Sequence, residues 1–336
     1  MPKDMQTSVK TVMLAMNENP EPVAQEILKG IRAGAGLVNR YTFESEARVL
    51  EKLAMYFQCP EQKMVLVRGI DEAFDRISHE FPAMRYATAW PGFDGYVNRI
   101  RVHGYRHFQI RLTSDFALAP ADMEKLAKDD FVFLADPSNP TGRPLSAEEH
   151  RWVRERAGKI FIDETYADYA GRDSGFPAFG GNVFAFRSFS KSFGLAGARL
   201  GVVFGDEDVI ARVRSKQWYC NVGVLDLHAL EAAIENDWVR KRHIEKTVCE
   251  RERMGKAVRN LGFCVYPSAG NFLLVQDGKK NSIETFLRER SIMVRNTARF
   301  GLLNHVRVSV GLPAENDKVL EALTEYAAAR GNAHAG

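Results

Sequence analysis

The feature of this sequence that most constrains its fold is an alternation of short apolar runs with helical patterns through the middle of the chain. Six apolar runs of four or five residues are predicted strands, at residues 86–90, 108–112, 131–135, 160–163, 183–186 and 200–204. Helical patterns lie among them at residues 71–81, 121–128, 146–157 and 206–216. Because alternating strands and helices build βαβ units, the pattern predicts an α/β fold, with a mainly parallel sheet covered by helices on both faces.

The two ends of the chain have a different character. Helices are predicted at residues 22–34 and 45–57 before the alternating region, and at 225–234 and 238–261 after it. The remaining tail combines predicted strands at 264–266, 272–276, 293–295 and 306–310 with helices at 283–289 and 314–329. This tail predicts a smaller α+β domain, and 336 residues are enough for two domains. No linker rich in Gly or Ser separates the domains, so we expect them to be tightly connected.

Charge and hydropathy restrict the partners of the chain. The 46 basic and 43 acidic residues nearly cancel, so the net charge of +3 argues neither for nor against an anionic partner. No apolar run reaches the ~18–20 residues that span a bilayer, and the first five residues lack the apolar core of a signal peptide. Nothing in the sequence resembles a helix-turn-helix. We therefore expect neither a membrane nor a nucleic acid as a partner.

Cysteine and histidine spacing bears on compartment and metal binding. The four cysteines are scattered without paired spacing, which indicates reduced thiols and a cytoplasmic protein rather than a disulfide framework or a zinc site. His103 and His107 are four residues apart, but Arg101 and Arg106 surround them and no carboxylate accompanies them. We expect no metal site.

A lysine segment carries the strongest chemical signal. Lys191 lies between Ser190 and Ser192, and Arg199 follows eight positions later in a stretch that is otherwise small or apolar. A lysine amine becomes a nucleophile when desolvation and a neighbouring cation lower its pKa, and capture of a carbonyl as a Schiff base is the usual purpose. Hydroxyl groups and an arginine would also bind a phosphate. An aldehyde that carries a phosphate is pyridoxal phosphate, so the segment predicts a site for that cofactor. An ordinary lysine in a surface loop is the alternative.

Polar side chains follow two of the predicted strands. Asp163 ends the strand at 160–163, Tyr166 comes three residues later, and Asn139 follows the strand at 131–135 in a turn sequence. Ligand sites of open α/β sheets lie at the carboxyl ends of the strands. Asp163 is therefore predicted to keep the ring nitrogen of pyridoxal phosphate protonated, and Asn139 and Tyr166 to bind its phenolic oxygen. Taken singly, the Asn139 segment is typical of a turn and Asp163 of a helix cap.

With these segments assembled, the chain resembles the class I and II aminotransferases of fold type I, most closely the histidinol-phosphate aminotransferase branch. The resemblance extends over nearly the whole chain. Its further motifs are Asn17-Glu18-Asn19-Pro20, Asn39-Arg40-Tyr41, Gly69-Ile70-Asp71-Glu72, Pro91-Gly92-Phe93, residues 267–272 and residues 306–311. It implies a large cofactor domain at 36–225 with a mainly parallel, seven-stranded sheet. It also implies a small α+β domain at 226–336 and an N-terminal segment, 1–35, that packs with the small domain.

The resemblance also implies roles for individual residues. The expected catalytic residues are Lys191, Asp163 and Tyr166. The expected cofactor-binding residues are Lys191, Asp163, Tyr166, Asn139, Phe93, Gly69, Ile70, Asp71, Ser188, Ser190, Arg199 and Tyr41. The expected substrate-binding residues are Arg307, Arg295, Asn17 and Asn271. Tyr41 would cross a dimer interface to the cofactor phosphate of the neighbouring subunit, so we expect a homodimer with shared sites. Arg307 would hold the substrate carboxylate and Arg295 a distal phosphate.

Three positions depart from the family pattern. Phe93 stands where tyrosine is usual, which keeps the stacking on the cofactor ring and loses a phenol hydrogen bond. Ile70 stands where a serine hydroxyl is usual. Arg68 stands where asparagine is common, and either adds positive charge near the cofactor phosphate or points to solvent.

The resemblance implies an aminotransferase that moves an amino group between an L-amino acid, or a phosphorylated amino compound like histidinol phosphate, and a 2-oxo acid such as 2-oxoglutarate. A pyridoxal-phosphate-dependent decarboxylase, lyase or cyclase of amino-acid or natural-product biosynthesis is the alternative, because a sequence does not show which substrate bond stands perpendicular to the cofactor ring. A regulatory binding module is a third interpretation, and the complete set of cofactor residues argues against it.

Overall fold

The structure is a computed structural model that describes residues 11–171, 181–278 and 282–333. Its strands, in chain order from β1 to β12, are Val12–Leu14, Met64–Val67, Arg85–Trp90, His107–Arg111, Asp130–Ala135, Lys159–Asp163, Val183–Ser188, Gly201–Phe204, Cys264–Val265, Phe272–Gln276, Ile292–Asn296 and His305–Ser309. Its α-helices, from α1 to α11, are Gln25–Ala35, Phe43–Phe57, Gly69–Ser78, Asp94–His103, Pro120–Met123, Ala147–Arg156, Glu207–Ser215, Val224–Glu235, Asp237–Asn260, Ser282–Glu289 and Pro313–Ala333. None of these helices combines the length and apolar character needed to cross a membrane.

The larger sheet has seven strands in the order β2-β8-β7-β6-β5-β3-β4. Strands β7, β6, β5, β3 and β4 run parallel to one another, and β8 runs antiparallel to both of its neighbours. The predicted mainly parallel sheet of the fold type I architecture is confirmed. Strand β2 was not among the strands predicted from the sequence.

Alternating residues of the central strands enter two separate cores. On β5, Phe131 and Phe133 face an aromatic core beneath α3, α4 and α7. Val132 and Leu134 face an aliphatic core beneath α5 and α6. Successive side chains of a strand point to opposite faces, and helices cover both faces here, so every one of these residues is buried. The continuous apolar runs of the sequence are the result.

The smaller sheet has five strands in the order β1-β11-β12-β10-β9. Strand β1 pairs with β11 in parallel, and the other neighbours are antiparallel. The predicted N-terminal segment therefore divides between the two sheets: β1 joins the small sheet, whereas α1 packs on α8 against the large one. Glycines allow this packing, because a Cβ on Gly30 would lie 2.7 Å from Cβ of Ala232. The boundaries 36–225 and 226–336 stay a prediction.

Two helices differ from the sequence prediction. The helix expected at 121–128 is the short α5, because the Asp130 carboxylate accepts a hydrogen bond from the backbone N–H of Ala127 at 2.7 Å and turns the chain into β5. Helix α4 was not predicted. It begins directly after Phe93 and ends at Gly104, whose φ of 68° is typical of a helix C-terminus.

Candidate active site

A cavity of about 230 Å³ opens at the carboxyl ends of the parallel strands. Strand β5 ends at Ala135 and β6 at Asp163, two residues that are register partners, and the loop after β7 carries Lys191. The cavity is lined by Met16, Gly69, Ile70, Asp71, Phe93, Ala135, Asn139, Asp163, Thr165, Tyr166, Phe186, Ser188, Ser190, Lys191, Arg199, Arg295, Phe300 and Arg307. All the predicted site residues except Tyr41, Asn17 and Asn271 are therefore brought together.

The Lys191 amine lies inside the cavity and donates a hydrogen bond to the backbone carbonyl of Met16 at 2.9 Å. Burial lowers the pKa of Lys191 to about 8, and the nearby Arg307 and Arg199 guanidinium groups act in the same direction. Desolvation and like charge both disfavour the ammonium form. A substantial fraction of this amine is therefore neutral near pH 8, as a nucleophile or proton acceptor must be.

Three donors fix the buried Asp163 carboxylate. Tyr96 Oη donates to Oδ2 at 2.5 Å, and the N–H and Oγ1 of Thr165 donate to Oδ1 at 3.0 and 2.5 Å. Burial raises the pKa of Asp163, and these donors together with Lys191 oppose the shift. Hydrogen bonds from neutral donors stabilise the ionised form. The carboxylate is thus oriented, and the Lys191 amine lies near enough to affect its pKa.

Asn17 and Asn271, predicted to bind substrate, lie behind Tyr166 instead of lining the cavity. Asn17 Nδ2 donates to Tyr166 Oη at 3.0 Å, and its Oδ1 accepts from Ser309 Oγ at 2.8 Å. Asn271 Nδ2 donates to the Asn17 carbonyl at 3.1 Å. Both ends of the Asn17 amide are occupied, so the two asparagines position the Tyr166 hydroxyl. Burial raises the pKa of Tyr166, while Arg307 and Asn17 oppose the shift.

Two arginines of the small sheet reach the cavity from neighbouring strands. Arg295 on β11 and Arg307 on β12 are direct register partners. Arg307 Nη1 donates to Asn139 Oδ1 and Nη2 to the Ala15 carbonyl, each at 2.6 Å. The buried Nε atoms of both arginines have no hydrogen-bond partner among the described residues. The Phe300 ring lies 5.7 Å from the Arg295 guanidinium and 5.8 Å from that of Arg307.

The opposite end of the cavity is suited to a phosphate. Helix α3 begins at Gly69, so the N–H groups of its first turn, including those of Ile70 and Asp71, are free of intrahelical partners. A Cβ on Gly69, whose φ is 79°, would lie only 2.8 Å from an Arg199 Nη atom. Only glycine therefore lets the guanidinium approach the helix terminus. The cavity also contains the predicted hydroxyl residues Ser188 and Ser190.

Comparisons with known proteins identify the family. The profile described as "Aminotransferase class I and II" matches residues 9–323. The histidinol-phosphate aminotransferase of Thermococcus gammatolerans is 31% identical, over 94% of this chain and 92% of that protein. The chain belongs to the class I and II aminotransferases.

Solved structures agree with this family. A Burkholderia pseudomallei protein whose crystal structure carries a provisional aminotransferase name is 53% identical, with a TM-score of 0.93 and coverage of 95% of this chain and 99% of that one. The histidinol-phosphate aminotransferase of Sinorhizobium meliloti, solved in complex with pyridoxal 5'-phosphate, has the same fold at 24% identity, with a TM-score of 0.86 over 95% and 91% of the two chains. The enzyme is a pyridoxal-phosphate-dependent aminotransferase, and its lysine, carboxylate and phosphate-binding groups fit that cofactor.

Tyr41 and Arg68, two further residues considered in the sequence analysis, also lie outside the cavity of the aminotransferase. Tyr41 is 83% exposed and lies near Phe43, which in turn contacts Tyr219. A single chain therefore does not use Tyr41, and its role in a neighbouring subunit stays a prediction. Arg68 is exposed and does not line the cavity, and its charge acts on Asp226 at the start of α8. The structure thus favours the orientation in which Arg68 points to solvent.

Sequence reasoning missed several residues of the site. Thr165 had a usable signal, because an Asp side chain often binds the N–H two residues later. Tyr96 and Phe300 had none, because tertiary packing alone brings Tyr96 to the Asp163 carboxylate and Phe300 to the cavity wall. His103 was expected to lack a carboxylate, yet its Nε2 lies 2.7 Å from Asp75 of α3. Within the described ranges, no three His, Cys, Asp or Glu side chains are grouped to hold a metal ion.

Proposed function

We propose that this aminotransferase acts on an amino compound that carries an anionic distal group, most closely histidinol phosphate, with a 2-oxo acid such as 2-oxoglutarate as the acceptor. The observation that carries the proposal is the register pair of Arg295 and Arg307, whose guanidinium groups face one cavity. Relatives named histidinol-phosphate aminotransferase, at 31–32% identity over about nine tenths or more of both chains, support it.

Charge explains why this pair points to an anion. Like charges directly opposite each other on neighbouring strands destabilise a sheet. Burial lowers the pKa of Arg307 to about 10, and Arg295 adds to that effect. A bound anion would relieve the repulsion between the two guanidinium groups. It would also accept hydrogen bonds from the two Nε–H groups, which have no described partner. In the proposed arrangement, Arg307 holds the carboxylate of an amino acid or 2-oxo acid, and Arg295 holds the distal phosphate or carboxylate.

The catalytic assignments follow the positions of the side chains. Bound pyridoxal phosphate supplies an electron sink beside the α-carbon of the substrate. Lys191 Nζ is proposed to accept the α-proton and to return it, because its lowered pKa leaves a neutral amine. The Asp163 carboxylate holds a proton on the ring nitrogen. Tyr166 Oη and the amide NH₂ of Asn139 orient the ring, since Asn139 Oδ1 already accepts from Arg307.

The phosphate-binding assignments are also part of the proposal. Arg199, Ser188, Ser190 and the N–H groups of Gly69, Ile70 and Asp71 would hold the cofactor phosphate, and Phe93 would cover the ring. Phe93 packs edge-on against Tyr96 at 5.2 Å, which keeps its ring at the cavity wall. Ile70 lines the cavity without a hydroxyl, so Arg199 and backbone donors supply the contacts that serine would otherwise share.

A cytoplasmic homodimer with shared sites completes the proposal. Tyr41, Phe43, Trp218 and Tyr219 are all more than half exposed, although large apolar side chains are normally covered. A second copy of the chain would cover them and receive Tyr41 near its cofactor phosphate. The free thiols of all four cysteines support a reducing compartment. Mixing Tyr41→Phe with Lys191→Ala subunits tests the sharing: activity equal to the average of the two parents would contradict it.

Substrate kinetics on Arg295→Ala test the substrate class. The activity on histidinol phosphate and glutamate is expected to fall by roughly 2–5 kcal/mol in transition-state stabilisation, because a buried ion pair is lost. The activity on phenylalanine, which has no distal anion, is expected to change little. Equal losses on all three substrates, or no loss on any, would assign Arg295 a structural role and remove the proposed substrate class.

A further inference from the structure

A buried ionic cluster lies directly behind the lysine loop and has no role in the chemistry described above. Its centre is Asp168, in the turn that follows Tyr166. Its cations are Arg187 on β7 and Arg240 on α9, and the side chains of all three residues are about a tenth exposed or less. Ion pairs this deep need a compensating reason, because removing the charges from water is costly.

The Asp168 carboxylate accepts donors from three elements. Ser192 Oγ donates to Oδ2 in a short hydrogen bond. Arg187 Nη1 donates to Oδ1 at 3.2 Å, and Arg240 Nη1 lies 3.3 Å from the same oxygen. Ser192 is the residue immediately after Lys191, is 2% exposed, and faces away from the cavity. The cluster therefore holds the lysine loop from behind.

The next residue of the loop is held by the same arginine. The Arg240 guanidinium lies 5.2 Å above the Phe193 ring. Asp237 fixes Arg240 through contacts of 2.5 and 3.2 Å and itself accepts from Tyr56 Oη at 2.8 Å. The two residues that follow Lys191 are thus linked to α9. Ser192 is linked through Asp168, and Phe193 through the Arg240 guanidinium.

Backbone hydrogen bonds transmit this anchoring to the lysine. The Lys191 carbonyl accepts from the Gly194 N–H, and the Phe189 carbonyl accepts from the Leu195 N–H, each at 3.0 Å. These two hydrogen bonds join the residues before Ser192 to the residues after it. A shift of Ser192 would therefore also move the Cα of Lys191. The Lys191 amine is held at its far end by a single described hydrogen bond, to the Met16 carbonyl.

We propose that Asp168 and Ser192 are positioning residues, which fix the backbone of Lys191 so that its amine stays at its place in the cavity. The inference rests on the proposed function of Lys191. It predicts that loosening this anchor changes the reactivity of the amine more than the stability of the fold, because the amine would escape from the desolvated position beside Arg307.

The test compares Ser192→Ala with a matched control. Ser282→Ala removes a serine-to-aspartate hydrogen bond, from Ser282 Oγ to Asp277 Oδ1 at 2.6 Å, together with the one that Ser282 Oγ accepts from Tyr326 Oη at 2.5 Å, far along the chain from the lysine loop. For Ser192→Ala holoenzyme, kcat is expected to fall about 10–100-fold, the range for a lost hydrogen bond to a charged group, with KM within twofold. Ser282→Ala is expected to retain wild-type kcat.

A second readout avoids turnover altogether. In the cofactor-free full-length chain, the pH dependence of Lys191 acylation, followed by peptide mass mapping, is expected to have its midpoint near the pKa of about 8. Ser192→Ala is expected to raise that midpoint by at least half a pH unit, and Ser282→Ala to leave it unchanged. Asp168→Asn should likewise lower kcat and raise the midpoint of Lys191 acylation. The double variant with Ser192→Ala should have the same kcat as Asp168→Asn alone.

Each outcome has a defined meaning. Wild-type kcat and an unshifted midpoint in Ser192→Ala would overturn the inference. So would a lowered melting temperature with normal kcat per folded holoenzyme, because that result describes a purely structural contact. Borohydride reduction of wild-type holoenzyme separates the two proposals: cofactor mapped to another lysine removes the proposed function, whereas correct mapping with a silent Ser192→Ala removes this inference alone.

Discussion

The two ends of the active cavity come from different sheets and differ in how well their polar groups are satisfied. At the large-sheet end, the Asp163 carboxylate accepts three hydrogen bonds from its surroundings. At the small-sheet end, Arg295 and Arg307 oppose each other, and each has a buried nitrogen without a described partner. In the proposed function, Asp163 must stay oriented through every turnover, and the protein holds it with three donors. The two arginines are proposed to release one substrate and bind another, and their Nε–H groups, which have no described partner, are available for those contacts.

The largest expected effect concerns Lys191, at the large-sheet end of the cavity. Lys191→Ala is expected to lower kcat about 1,000-fold or more, because general acid–base catalysis and the covalent attachment point are lost together. Reduction of wild-type holoenzyme with borohydride, followed by peptide mapping, should place the cofactor on Lys191. Recovery of the cofactor on any other lysine would contradict the assignment.

The next prediction concerns Arg307, at the small-sheet end of the cavity. Arg307→Ala is expected to weaken kcat/KM by roughly 2–5 kcal/mol for every amino acid with an α-carboxylate, since a buried charge pair with the substrate is lost. An amino alcohol without that carboxylate should lose less. Steady-state kinetics on glutamate, phenylalanine and histidinol phosphate measure the difference, and a uniform loss would show that Arg307 acts through its hydrogen bonds to Asn139 and Ala15 rather than on the substrate carboxylate.

A smaller effect is expected when one of the three donors to Asp163 is removed. Tyr96→Phe keeps the packing against Phe93 and deletes only the hydroxyl, so the pKa of Asp163 should rise and the affinity for pyridoxal phosphate should fall about 5–20-fold. Titration of the cofactor into apoenzyme measures the affinity. If binding is unchanged while Thr165→Val weakens it, the Thr165 donors alone orient the carboxylate.

The last prediction concerns the stability of the apoenzyme rather than its activity. The pKa of Lys191 is about 8 in the fold and returns to the ordinary value of 10.5 on unfolding. Between these values the unfolded chain binds more protons, so the contribution of Lys191 to stability increases as the pH rises through this window. Melting temperatures of wild type minus Lys191→Met, measured from pH 7 to pH 10, should therefore increase with pH. A flat difference would contradict the lowered pKa.

The large-sheet and small-sheet ends of the cavity also differ in how far they can be predicted from the sequence. Lys191, Asp163, Asn139 and Arg199 lie in short local motifs at strand ends, so the sequence alone places them at one edge of the sheet. The direct opposition of Arg295 and Arg307 depends on the register of two antiparallel strands. Register follows from packing across the whole sheet, so spacing along the chain did not reveal it.

The elements that escaped prediction have weak local patterns. Strand β2 is an apolar run of four residues, which does not distinguish a strand from part of a buried helix. Helix α4 buries only Tyr96 and Ile100, too few to produce an amphipathic stripe. Its position matters to the site because it carries Tyr96, so the failure to predict the helix and the failure to predict a donor to Asp163 have one cause.

The N-terminal segment contributes β1 to the small sheet and α1 to the packing of the large sheet, and this has a consequence for the cavity. Its strand is bonded to the small sheet and its helix is packed on the large one, so the stretch between them is a tether fixed to both bodies. That tether supplies the carbonyls of Ala15 and Met16, which accept hydrogen bonds from Arg307 and Lys191. The relative position of the two sheets and the contact that holds the lysine amine are therefore mechanically coupled, because a movement of one sheet against the other would strain the link through Met16.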